Sequence, residues 1–138
     1  MPEIAAERRA ILDWVDSRHR LDLFLTLHNT ESNEYLEAPA IFQALGERLF
    51  RQLAENTSFH PTAPLRAMDP STTPGKLGRM DVAQGLFHDR RLPAMTIEQM
   101  VEFNSKLGRV PTAADRKAFG AELVRALATA VMDSGKEH

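Results

Sequence analysis

The chain has 138 residues, 43% hydrophobic and 26% charged, with a formal net charge of -2 and no cysteine. These values predict a single domain over residues 1–138 with a moderate core, and they exclude disulfides and thiolate metal sites. The balanced charge argues against a nucleic-acid or anionic-membrane surface, and the absence of a long apolar segment or signal-type start points to a soluble cytoplasmic protein.

The first element is a helix from about Pro2 to Ser17. Pro2 suits the first turn, Glu3 the positive end of the dipole, and Ile4, Ile11, Leu12 and Val15 form one apolar stripe. Arg18-His19-Arg20 closes it with positive charge. The run 21–28, Leu-Asp-Leu-Phe-Leu-Thr-Leu-His, reads as a strand buried in an α/β sheet and ending on His28. Thr30 to Pro39 reads as polar loop with a brief extension at Tyr35-Leu36, and Glu31, Glu34 and Glu37 as its solvated face. A second helix is expected from Pro39 to Glu55, with Ile41, Phe42, Leu45, Leu49 and Leu53 at helical spacing.

Residues 56–78 form a long loop rich in proline and glycine, with a short strand at its centre around Leu65-Met68. Asp81 to His88 reads as a short helix, and Arg90-Arg91 as exposed charge. Ala94-Met95-Thr96-Ile97-Glu98 is the second clear strand. Asn104 to Pro111 is a connector, and Thr112-Ala113-Ala114-Asp115 opens a helix to Met132 as a capping box. Residues 134–138 are expected to fray.

His28 and Glu98 share one pattern: an apolar extended run that delivers a residue capable of proton or metal chemistry. In one parallel sheet both would emerge at the same rim, where ligands gather at the carboxyl ends of strands. An imidazole and a carboxylate there would suit a metal ligand and a general base. His19, His60, His88 and His138 form no pair at helical ligand spacing and read as surface residues.

Together these segments resemble the C-terminal half of zinc carboxypeptidases of the carboxypeptidase A-like superfamily. Leu23-Phe24-Leu25-Thr26-Leu27-His28 is similar to the strand carrying that family's third zinc ligand. Gly78-Arg79-Met80-Asp81-Val82-Ala83 resembles the short helix before the catalytic strand, and Ala94-Met95-Thr96-Ile97-Glu98 resembles that strand. Gly108-Arg109-Val110-Pro111 and the helix after it are similar to the closing segment. The resemblance implies a partial mixed β-sheet flanked by helices, with His28 on zinc and Glu98 as the catalytic base. It also implies a hydrolase acting on peptide or small amide bonds, and Asn29 points to a bacterial subgroup.

The departures carry equal weight. The family's other two ligands lie in a His-x-x-Glu motif well upstream of the region matched here, and its substrate-gripping arginines also belong to the other half. One imidazole does not hold zinc usefully, so the expectation is a C-terminal fragment that is inactive alone. Half of such a sheet would leave a strand edge and apolar surface uncovered, which predicts that the chain either self-associates or is only marginally stable alone. Two other readings stand beside this one: a non-catalytic α/β interaction domain, and a mainly helical regulatory protein.

Overall fold

A computed structural model describes residues 2–17, 20–68 and 80–133. Among these residues the chain forms four α-helices around a four-stranded mixed sheet. The helices are α1 (Pro2–Asp16), α2 (Gln43–Asn56), α3 (Val82–Arg90) and α4 (Ala113–Met132). The strands are β1 (Phe24–Thr30), β2 (Tyr35–Ala38), β3 (Arg66–Ala67) and β4 (Ala94–Met100), in the spatial order β1-β4-β2-β3. β4 runs parallel to β1 and antiparallel to β2, while β2 and β3 are parallel.

The chain is therefore α/β, as expected, but two strands differ from the sequence reading. The run 21–28 is not a buried strand ending on His28. β1 starts later, lies at the sheet edge, and continues through Asn29 and Thr30, because the ladder with β4 extends to Thr30 opposite Met100. Residues 35–38, read mostly as loop, form an inner strand. Their alternation explains it: Leu36 and Ala38 are buried in the core while Tyr35 and Glu37 face the opposite side.

Only residues 31–34 separate β1 from β2, although β4 lies between them. That connection must span two strand spacings, about 10 Å, over the end of β4. Glu34 secures the crossing. Its Oε1 accepts from the Met100 N–H at 3.2 Å, and its Oε2 accepts from the His60 N–H. Glu34 is 2% exposed, so the expectation of a solvated acidic loop fails at this residue. A buried carboxylate is tolerated because backbone donors satisfy both oxygens.

The helices sit on both faces. On one side α2 and α4 cover β2 and β4, burying Leu49, Leu53, Phe119, Leu123, Ala126 and Ala130 with Leu36, Ala38, Met95 and Ile97. Gly46 lets α2 approach β2 closely: a Cβ there would lie 2.8 Å from Ala38 Cβ. On the other side Ile11 and Leu12 of α1 join Ala83 and Leu86 of α3 over Ala94 and Phe24. Arg90 ties these two helices together through Asp16, at 3.0 and 3.1 Å.

Local signals account for most helix boundaries. Asp81 and Thr112 each cap a helix in a capping box, with Gln84 and Asp115 as the reciprocal partners. The second helix starts four residues later than expected, because Ala40–Phe42 form a 3-10 turn and Ile41 is exposed. The start of the predicted long loop is anchored, with Phe59 fully buried and set edge-on to Phe50. Residues 69–78 of that loop, Arg79, the Arg18-His19 pair and the tail 134–138 lie outside the described residues.

Candidate functional site: a polar row across one sheet face

The strand register makes the site. Along β4, Met95 and Ile97 point into the α2–α4 core, so Thr96 and Glu98 point to the other face. Parallel pairing sets His28 beside Glu98 and Thr26 beside Thr96. Antiparallel pairing sets Tyr35 on the other flank of Glu98 and Glu37 on that of Thr96, and Glu37 in turn pairs with Arg66. Two polar rows result: His28–Glu98–Tyr35, and Thr26–Thr96–Glu37–Arg66. Helices α1 and α3 cover the next row, Phe24–Ala94, and leave these two at the carboxyl ends of β1 and β4.

His28 Nδ1 lies 3.8 Å from Glu98 Oε1, and its Nε2 lies 3.2 Å from Thr26 Oγ1. The His28 side chain is 40% exposed and that of Glu98 15%. Glu98 Oε2 is buried and is a carboxylate oxygen with no hydrogen-bond partner among the described residues. Thr96 is buried and donates to Asp81 Oδ2 at 3.0 Å, which fixes the start of α3 against the row. Arg66 stacks on the Tyr35 ring, its guanidinium carbon 3.7 Å from the centroid.

This crowding of acids shifts proton affinities. The Tyr35 hydroxyl is pushed above the usual tyrosine value by burial, then by the charges of Glu98 and Glu37, against the pull of Arg66. Glu37 is likewise raised, chiefly by burial, with Arg66 opposing and Asp81 and Glu98 adding to the rise. The face therefore holds an imidazole, three carboxylates, a neutral phenol and one guanidinium within a few strand spacings. Such a set can transfer a proton or orient a polar substrate.

The donor set does not fit zinc by itself. Among the described residues no group of three histidine, aspartate or glutamate side chains is placed to hold a metal ion. Thr26 and Glu98 already face the two nitrogens of His28. A groove of about 560 Å³ runs along α2 beside Phe50, Pro64 and Leu65, but its lining contains no imidazole or tyrosine, so it offers no comparable chemistry.

Sequence reasoning singled out His28 and Glu98, and the fold makes them neighbours. It missed Tyr35, Glu37, Arg66 and Asp81. The signal for Tyr35 and Glu37 was their alternation with Leu36 and Ala38. Arg66 lies on a two-residue strand, where no periodicity exists to read. Among the described residues no helix is long and apolar enough to cross a membrane. Comparison with family models, characterised proteins and solved structures finds no match.

Proposed function

We propose that this chain supplies one catalytic face of a zinc carboxypeptidase-like hydrolase that cleaves peptide or small amide bonds. The single observation that carries the reading is the register pairing of His28 with Glu98 on a polar sheet face. In this role Glu98 accepts the proton of the attacking water and returns it to the leaving amine.

The metal requirement is met only in part. His28 would supply one nitrogen, and the remaining ligands of such a hydrolase would come from a His-x-x-Glu segment upstream of these residues, as the resemblance implies. The chain alone is therefore catalytically silent. Its uncovered surface agrees with an incomplete sheet: β1 is an edge strand free of proline and lysine, and Leu27 is 57% exposed. That edge also favours the second reading, an interaction domain without catalysis, and either reading leads to self-association when nothing covers β1.

Zinc titration against a chelating dye and peptidase assays test the proposal. The 138-residue chain should not compete with a micromolar chelator. A polypeptide that also carries the His-x-x-Glu segment should bind one zinc and hydrolyse peptides. In it His28→Ala removes the metal, whereas Glu98→Gln keeps the metal and slows turnover about a thousandfold. Hydrolysis unaffected by Glu98→Gln, or a gene with no such segment, overturns the hydrolase reading in favour of the interaction domain.

A further inference from the structure

The His28–Glu98 pair leaves one question of geometry open: what holds the carboxylate still. His28 approaches Oε1 from β1 only to 3.8 Å, and Oε2 has no hydrogen-bond partner among the described residues. A carboxylate with one long contact and no hydrogen-bond donor on its other oxygen is weakly oriented unless something restrains it from the β2 side. Tyr35 occupies that side, as the register partner of Glu98.

Tyr35 is itself restrained. Arg66 lies over its ring, the guanidinium carbon 3.7 Å from the centroid, and Arg66 is held in register by Glu37, two residues along the same strand as Tyr35. A guanidinium on an aromatic face adds attraction and stiffness beyond simple contact. The three strands β3, β2 and β4 thus pass a restraint inward, from Arg66 to Tyr35 to Glu98.

We propose that Arg66 and Tyr35 are positioning residues for Glu98: the guanidinium pins the phenol ring, and the pinned phenol fixes the orientation of the carboxylate facing His28. The inference rests on the reading of Glu98 as the proton-transferring group. It extends the site across the sheet to β3, a strand with no catalytic-type side chain of its own. The proton affinity of Tyr35 agrees, since it is raised by burial and next by the charge of Glu98.

Tyr35 is the only tyrosine in the chain, so its ionisation can be followed alone by absorbance at the tyrosinate band. The groups that face it are Glu98 on β4, Glu37 on β2 and Arg66 on β3. In the wild-type chain the phenol should ionise above the ordinary tyrosine range. Glu98→Gln should lower the midpoint by about half a unit. Arg66→Lys keeps the charge but loses the planar stack, so in that background the effect of Glu98→Gln should fall to about half.

Tyr35→Phe should abolish the transition, which assigns the signal. Glu98→Ala is measured beside Glu98→Gln, and the values are taken from whichever keeps the wild-type far-ultraviolet dichroism. Coincident midpoints in wild type and the Glu98 variant overturn the proposal, as does loss of the fold in both variants. An undiminished effect in the Arg66→Lys background removes Arg66 from it. None of these readings involves zinc or turnover, so failure here leaves the hydrolase reading standing, and failure of the zinc titration leaves this result standing.

Discussion

The two faces of β4 have opposite chemistry over the same seven residues. On one, Met95 and Ile97 are fully buried under α2 and α4. On the other, Thr96 and Glu98 meet His28, Thr26, Tyr35, Glu37 and Asp81. Because successive side chains in a strand point to opposite faces, one face can stabilise the fold while the other is released for chemistry. The contrast teaches that stability and function are separable here at the level of adjacent residues, and mutations at neighbouring positions should show it.

The largest effect belongs to the apolar face. Ile97→Ala removes a fully buried side chain from the core and should cost about 4 kcal/mol in urea unfolding. A loss under about 1 kcal/mol would mean that this face is not the one that carries the fold. Next comes the crossing that lets β4 sit between β1 and β2. Glu34→Ala leaves the part-buried N–H groups of Met100 and His60 without their acceptor and should cost about 2 kcal/mol, a large loss for a polar side chain.

Legibility followed the range of the interactions. The α3 and α4 helices announce themselves through Asp81 and Thr112, local caps readable from a few residues, and β4 through an unbroken β-type run. The Phe119–Leu123 stripe marks the buried face of α4, although Ala126 and Ala130 complete it rather than the larger Leu127 and Val131. The position of β4 between β1 and β2 depends on contacts far apart in the chain, which no local pattern encodes. Glu34 shows the same limit: its acidic neighbourhood reads as solvated surface, and only the crossing of β4 makes it a buried acceptor.

On the polar face the effects should be small and should depend on pH. Glu37 holds its proton above the usual carboxylate value, so the folded chain binds that proton more tightly than the unfolded one. The stability from this group is full below the ordinary glutamate range and is lost as pH rises through the raised folded value. Glu37→Gln should flatten that dependence and gain no more than about 0.5 kcal/mol at neutral pH, allowing for solvent screening and the lost attraction to Arg66. Denaturant midpoints followed from pH 4 to 7 check the slope, and an unchanged slope places the titration elsewhere.

The smallest effect on stability should be at Glu98. Its Oε2 makes no hydrogen bond that folding depends on, so Glu98→Gln should change unfolding by less than about 0.5 kcal/mol, against the large loss one residue earlier at Ile97. Equal costs at the two positions would erase the distinction between the faces.

The most direct test of that distinction is a carbon-edited NOE spectrum of the labelled chain, since a slip of one residue in β1 or β4 would turn every side chain to the other face. The account predicts cross-peaks from the His28 ring protons and from the Tyr35 ring protons to the Glu98 methylenes, with the Ile97 methyls contacting Leu123 and Phe119 instead. Cross-peaks from the His28 ring to the Ile97 or Leu36 methyls would contradict it.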